Sequence, residues 1–254
     1  MHLRDSITNS LKQKEILLMT HIVLGYPSFE DNRRVVEQMV ANGVDLIEMQ
    51  IPFSEPVADG PVIIKANQDS LTSGTKVKDC LDFAREMCAQ HPIPFLFMTY
   101  YNIVFKYGLK RFLSKAEQIG IKGLIIPDLP PEEGQEYLSL AKEHSISAIQ
   151  IFAPTSTEER MQTLSSHADG FIYCVARRGV TGSQTSFDKE FNNYIDRCKA
   201  NTELPLAVGF GISDKNDVEE LRGKAEIAVI GSATIRLVDS EGPEAVGPFI
   251  KGLR

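Results

Sequence analysis

The chain has 254 residues, of which 43% are hydrophobic, and a formal net charge of −7. This length suits one large hydrophobic core, and α/β barrels commonly reach it as one domain, so we expect residues 1–254 to form a single domain. The acidic balance, without a long lysine and arginine run, argues against a nucleic-acid or anionic-membrane partner. The N-terminal segment lacks the apolar region of a signal peptide, and no apolar run reaches the ~18 residues of a membrane span, so we expect a cytoplasmic protein.

Cysteine and histidine spacing gives no sign of a metal site. The cysteines at positions 80, 88, 174 and 198 show no C-x-x-C spacing and do not cluster with histidines, which favours reduced structural thiols. His21 has no second histidine or ligand-spaced acid near it, so a packed core histidine is favoured over a metal ligand.

In chain order, strand-like apolar runs alternate with segments of helical spacing. A short polar helix, capped by Ser6 or Thr8 and running to Lys14, precedes the first strand. Strands are predicted at 16–24, 44–51, 93–100, 123–126, 148–152, 170–175, 206–208 and 227–230. Helices are predicted at 29–41, 61–73, 77–90, 109–118, 131–143, 157–165, 187–199 and 214–222, with a helix-rich tail to the C-terminus. This alternation predicts an α/β fold, a (β/α)8 TIM barrel with an extra N-terminal helix; a doubly wound open sheet is the alternative.

The second predicted strand and its loop, VDLIEMQIPFSEPVADGP, carry two candidate catalytic acids. Strand alternation places Leu46, Glu48 and Gln50 on one face, so Glu48 points into a packed interior, where a carboxylate needs a partner, a ligand or a catalytic role. Asp59 lies in the proline-bounded loop that follows, and the two acids outline an acid–base pair. The alternative is structural: Glu48 pairs with a buried arginine or lysine, and Asp59 caps the helix that starts at Pro61.

Glycine turns follow the last two predicted strands, at Gly209-Phe210-Gly211 and Gly231-Ser232-Ala233. In a barrel, phosphate is often bound behind strands seven and eight, where glycine lets backbone N–H groups approach an anion. These turns therefore predict a phosphate site, although tight strand ends would also use glycine.

The polar stretch 176–186 after strand six predicts a mobile loop. Arg177, Thr181 and Gly182 in it could close over a ligand, or belong to an ordinary solvated loop. Tyr173, near the end of strand six, faces either the lumen or the surrounding helices.

Several motifs together resemble the tryptophan synthase α subunit family along essentially the whole chain. They are IEMQIPFSEPVADGP, MTYYN, GLIIPDLPPEE, APTSTEER, GFIYCVARRGVTG, PLAVGFGISD and IGSA. The first is specific to the family, and it disfavours an unrelated sugar-phosphate isomerase barrel. The resemblance implies a (β/α)8 barrel that cleaves indole-3-glycerol phosphate into indole and glyceraldehyde 3-phosphate by a retro-aldol route. It also implies that the α chain uses no metal or organic cofactor, and that it joins a pyridoxal-phosphate β subunit in an α2β2 complex.

The resemblance also implies roles for individual residues. Glu48 and Asp59 take the places of the family's catalytic acids, Glu48 shuttling protons and Asp59 facing the indole N–H. The pocket for the indole ring would be lined by Tyr173, His21 and Gln50. The phosphate would be bound by Gly182, Phe210, Gly211, Gly231 and Ser232.

Some positions depart from the family pattern. Gln50 stands where glycine is usual, so its amide could bond Glu48 or fill space that the indole ring needs. His21 stands where an apolar aromatic residue is common, and Glu55, Ala176 and Arg178 differ in the loops. These differences motivate a second hypothesis, an α subunit with weak or lost lyase activity that mainly activates its β partner.

Overall fold

The computed structural model describes residues 2–175, 189–209 and 211–254. Within these ranges, parallel strands close into a barrel in the order β1 to β8. The strands are β1 (Leu17–Val23), β2 (Leu46–Gln50), β3 (Phe95–Met98), β4 (Gly123–Ile125), β5 (Ser147–Phe152), β6 (Ile172–Val175), β7 (Leu206–Gly209) and β8 (Ile227–Ile230). Because β1 pairs with β8 as well as with β2, the sheet has no free edge. The predicted TIM barrel is confirmed, and the open-sheet alternative is wrong.

Helices surround this barrel and connect its strands. They are α1 (Leu3–Leu11), α2 (Phe29–Ala41), α3 (Pro61–Thr72), α4 (Val77–Gln90), α5 (Tyr101–Tyr107), α6 (Leu109–Ile119), α7 (Gln135–Glu143), α8 (Glu158–Ser166), α9 (Lys189–Ala200), α10 (Lys215–Leu221), α11 (Ser232–Glu241) and α12 (Val246–Gly252), with a 3₁₀ turn at Pro243–Ala245. None of the helices in the described ranges is long and apolar enough to cross a lipid bilayer.

Three helix predictions need correction. α1 begins after His2, so neither Ser6 nor Thr8 is its N-cap. α5 follows β3 directly and was not predicted, because it is a single short helix that ends at Gly108, whose φ of 92° is left-handed. α7 begins at Gln135 and not at Pro131, since the preceding residues form turns in which the Glu133 N–H donates to the Pro130 carbonyl over 3.0 Å.

Side-chain alternation divides the buried apolar residues into two layers. One layer, the lumen cluster, contains residues such as Met19, Leu46, Leu96 and Val229, which point into the barrel. Their strand neighbours, such as Ile47 and Met49, pack outward with the helices. β2 therefore presents Leu46, Glu48 and Gln50 to the lumen, as the alternation predicts.

α1 closes the N-terminal end of the lumen. Its Leu3 and Ile7 are buried and belong to the lumen cluster. Gly170, just before β6, permits this approach, because a Cβ there would lie 2.9 Å from Cδ2 of Leu3 and the residue has a φ of +83°. The N-terminal end is thus filled with apolar side chains, and the polar lumen residues lie towards the opposite end.

Candidate active site

The two acids predicted from the sequence lie at the C-terminal end of the barrel, one inside the lumen and one on its rim. Glu48 is on β2, beside His21 in the register of β1 and β2. Asp59 is in the loop between β2 and α3. In barrels of this kind the catalytic groups come from this end of the strands and from the loops that follow them.

Glu48 is paired with His21, so the structural alternative of an arginine or lysine partner is wrong. Nδ1 of His21 lies 2.9 Å from Oε1 of Glu48, and the side chains are only 5% and 4% exposed. His21 is a buried core histidine, as expected, but its hydrogen bonds within the described residues are incomplete. Its Nε2 and the second carboxylate oxygen of Glu48, Oε2, are buried and find no hydrogen-bond partner among the described residues.

Asp59 is held by side chains and does not cap α3. Nε2 of Gln50 donates to its Oδ2 over 2.6 Å, and the hydroxyl of Tyr100 donates to the same oxygen over 3.2 Å. The N-cap of α3 is Gly60, which makes no side-chain capping bond. The structural alternative for Asp59 is therefore wrong. Of the two possibilities for Gln50, the hydrogen bond to Glu48 is not formed, because the amide bonds Asp59.

Tyr100 is a site residue that the functional reading of the sequence missed. It follows β3 and is buried, with its ring stacked on Phe53 at a centroid distance of 5.0 Å. Its hydroxyl accepts the N–H of Ala58 over 3.0 Å while it donates to Asp59, so it ties the loop to the rim. The signal available in the sequence was a tyrosine at the end of a strand neighbouring β2, in the motif MTYYN.

The site environment shifts the pKa of several groups. Burial raises the pKa of Asp59 above its ordinary value, although the Gln50 hydrogen bond, His21 and Tyr100 act in the opposite direction. Burial by itself would lower the pKa of His21, but Glu48, with help from Asp59 and Gln50, raises it above the ordinary value. Burial, with the charges of Glu48 and Asp59, raises the pKa of Tyr173 well above its usual range. His21 and Asp59 therefore act on each other, and Tyr173 senses the charges of both carboxylates.

Tyr173 faces the lumen, which decides between the two orientations left open by the sequence. Its side chain packs against the lumen cluster. A Cβ on Gly209 would lie 3.1 Å from both Cε1 and the hydroxyl of Tyr173, so a larger residue there would press on the Tyr173 ring.

The glycine turns after β7 and β8 are neighbours at the same end of the barrel, since those two strands pair directly. Gly211 has a left-handed φ of +66°. Ser232 opens α11 after the N-cap Gly231, which has no side-chain cap, and a Cβ on Gly231 would meet nothing closer than Cβ of His21 at 4.0 Å. The open N-terminus of α11 thus lies beside the strand that carries His21.

Several predicted site residues lie outside the described residues. They are Arg177, Thr181, Gly182 and Phe210, together with Ala176 and Arg178 among the positions that depart from the family pattern. In the ranges that are described, no group of three or more His, Cys, Asp and Glu side chains is arranged to hold a metal ion. All four cysteines are free thiols, as their spacing predicts.

The fold and the site together place the chain in the class of (β/α)8-barrel enzymes. It has a closed barrel with an acid inside the lumen, a second acid on the rim and glycine turns after the last two strands. The family model of the tryptophan synthase alpha chain matches residues 7–247. The chain belongs to that family, which confirms the resemblance seen in the sequence motifs.

Individual relatives agree with this assignment. A tryptophan synthase alpha chain from Desulfotalea psychrophila is 65% identical over 254 residues, covering 100% of both chains. Among solved structures, tryptophan synthase of Mycobacterium tuberculosis matches with a TM-score of 0.91 and 29% identity, over 99% of this chain and 96% of the other. A tryptophan synthase complex from Pyrococcus furiosus matches with a TM-score of 0.86 and 26% identity, over 93% and 97%.

The chain is accordingly a carbon–carbon lyase of tryptophan biosynthesis, which cleaves indole-3-glycerol phosphate to indole and glyceraldehyde 3-phosphate. The second hypothesis, weak or lost lyase activity, gains no support. Gln50 and His21 depart from the family pattern, yet each of them makes a hydrogen bond to one of the two acids.

Proposed function

We propose that Glu48 and Asp59 divide the acid–base chemistry of the cleavage between them. Breaking the bond between C3 of the indole ring and C3′ of the glycerol chain needs a proton on C3 and the loss of a proton from the C3′ hydroxyl. Glu48 exchanges both protons, and Asp59 accepts the indole N–H and stabilises the positive charge that develops on that nitrogen. The observation that carries the proposal is the position of the two acids, one buried in the lumen and the other held on the rim above it.

The free oxygen of Glu48 supports its role as the proton carrier. Oε1 is occupied by His21, whereas Oε2 has no hydrogen-bond partner among the described residues. A buried carboxylate oxygen without a partner is costly, and a substrate hydroxyl would satisfy it.

The phosphate group is proposed to bind at the turns after β7 and β8. Gly211, Gly231 and Ser232 supply backbone N–H groups, and the positive end of the α11 dipole adds to the attraction. Gly182 and Phe210 complete the set by resemblance to the family. Tyr173, His21 and Gln50 line the space for the indole ring, and Arg177 and Thr181 belong to a loop that closes over the substrate.

A β subunit is the proposed partner, in an α2β2 heterotetramer with allosteric coupling between the sites. The Pyrococcus furiosus neighbour is itself a tryptophan synthase complex. Val57 and Phe105 are 83% and 67% exposed, and they follow the adjacent strands β2 and β3 at the catalytic end, where an apolar partner surface would cover them. We further propose that residues 1–254 form one cytoplasmic domain that needs no metal or organic cofactor, pyridoxal phosphate being confined to the β subunit.

Indole release tests the assignment of the two acids. Glu48→Gln and Asp59→Asn are compared with Glu55→Gln, an exposed acid of the same loop, each with and without the β subunit from the same source. We expect each of the first two to lose about 10²–10⁴-fold in kcat, and Glu55→Gln to retain the lyase rate of the unaltered protein. Activity that survives both substitutions would remove the proposed roles.

A further inference from the structure

A buried histidine and a buried carboxylate meet at the centre of the site in an arrangement that the assigned acid–base roles do not use. His21 and Glu48 come from adjacent parallel strands and lie opposite each other in their register. Their contact, 2.9 Å between Nδ1 and Oε1, leaves Nε2 and Oε2 without partners among the described residues. Two titratable groups buried together are expensive unless they share a proton or meet a ligand.

We infer that His21 is a positioning residue for Glu48, holding Oε1 so that Oε2 faces the substrate, and that the two side chains hold one proton between them. This inference rests on the proposed role of Glu48 and deepens it. A hydrogen bond to one carboxylate oxygen restrains rotation about the last bond of the side chain, so the second oxygen favours one direction in the lumen. Proton transfer then starts from a defined donor position.

The charges that face His21 favour retention of that proton. Glu48 approaches from β2, and Asp59 acts from the loop above, with the Gln50 amide beside it. Although burial lowers the pKa of His21, these groups together raise it above the ordinary value. Tyr173, from β6, also senses both carboxylates, and burial keeps its hydroxyl protonated. His21 therefore retains its proton to higher pH than a free imidazole would.

The shared proton returns to the pair at the end of the reaction. With the transferable proton on Oε2, and the Nδ1–H of neutral His21 donating to Oε1, Glu48 protonates C3 of the indole ring, which leaves a positive charge on the ring nitrogen opposite Asp59. Oε2 of Glu48 then takes the proton of the C3′ hydroxyl, the C3′–O bond becomes a carbonyl, and the C3–C3′ bond breaks. The electron pair of that bond returns to the ring and neutralises the nitrogen, so indole and the aldehyde leave while the pair holds one proton again.

Two substitutions of His21 distinguish the effect of its hydrogen bond to Glu48 from the effect of its own ionisation. The asparagine side chain in His21→Asn presents an N–H group from the same position on Cγ but cannot ionise, whereas His21→Phe removes the donor altogether. We expect His21→Asn to keep most of kcat at its optimum while the alkaline limb of the kcat profile moves to lower pH. His21→Phe should show the same displacement and a loss of kcat of at least about tenfold, as expected for one hydrogen bond to a charged group.

The experiments test the proposed roles of His21 and Glu48 separately. If Glu48→Gln is inactive but both His21 variants keep the unaltered kcat and pH profile, the role of His21 is wrong and that of Glu48 stands. If Glu48→Gln remains active, the proposed function itself fails. An NMR titration of the His21 imidazole is independent of activity: in Glu48→Gln its pKa should fall, and an unchanged pKa would overturn the sharing of a proton.

Discussion

The side-chain amide of Gln50 lies 2.6 Å from Oδ2 of Asp59, and it bridges the end of β2 to the loop that follows. Gln50 occupies the lumen face two residues after Glu48, yet its hydrogen bond goes to the rim acid. The lumen acid is held by His21 and the rim acid by Gln50, so two of the residues that depart from the family pattern each fix one carboxylate. This division of contacts predicts how each acid responds to substitution.

Removing the Gln50 amide should raise the pKa of Asp59. Of the groups that oppose the burial effect, the Gln50 hydrogen bond is the strongest, and the Tyr100 hydroxyl is weaker. Since catalysis is proposed to need ionised Asp59, Gln50→Ala should move the acid limb of the kcat/KM profile to higher pH. Tyr100→Phe should move it in the same direction by a smaller amount. An unmoved limb in both variants would show that Asp59 does not set it.

The stability of the protein should depend on the charge of His21. Because its pKa in the fold is raised above 6.5, the stabilisation it contributes is complete below about pH 6.5 and is lost as the pH rises through the raised value. The free energy of unfolding of the unaltered protein, relative to His21→Asn, should therefore decrease from about pH 6 towards alkaline pH. Chemical denaturation at several pH values measures this difference, with His2→Asn at an exposed position as the control. A difference that grows with pH would contradict the direction of the shift.

The apolar plug formed by α1 should affect stability without affecting chemistry. Leu3 and Ile7 are each 1% exposed at the end of the barrel opposite to the acids. Leu3→Ala and Ile7→Ala should each lower the free energy of unfolding by about 2–5 kcal/mol, because they leave cavities in the lumen cluster. Thr8→Ala, on the exposed side of the same helix, should change it by less than about 0.5 kcal/mol.

Lyase activity distinguishes the plug from the site. At a temperature where the Leu3 and Ile7 variants remain folded, kcat and KM should equal those of the unaltered protein, since residues at this end of a barrel serve stability. A specific loss of kcat in folded protein would mean that the plug also shapes the site.

A negative charge at the start of α11 should have opposite effects on stability and on substrate binding. Ser232→Asp places a carboxylate at the positive end of the helix dipole, which should stabilise the fold by about 0.3–1 kcal/mol. The same charge would repel a substrate phosphate bound there, so KM should rise at least about tenfold, the cost of losing one charged contact. Gln135→Asp, at the exposed first residue of α7, is the control for substrate binding and should leave KM unchanged. An unchanged KM in Ser232→Asp would place the phosphate elsewhere.

Local pattern was sufficient for the strands, for most of the helices and for the face of β2 on which Glu48 lies. Period-two alternation orients Glu48 towards the lumen in any parallel barrel strand, and glycine and proline mark where the strands end. The residue ranges of α2 and α4 agree with the prediction at both ends, because apolar periodicity and clear boundary residues coincide there. α5 was missed because a single short helix offers too few residues to display a period.

Which side chains contact each other became clear only from the closed barrel. His21 and Glu48 are 27 residues apart, and they meet because the register of β1 and β2 sets them side by side. Tyr100 reaches Asp59 across 41 residues, and α1 fills the lumen beneath them. The sequence by itself determined which residues of β2 face inward, since that depends on backbone geometry repeated every two residues. Which inward groups touch depends on strand register and barrel closure, and these are set by packing across the whole chain.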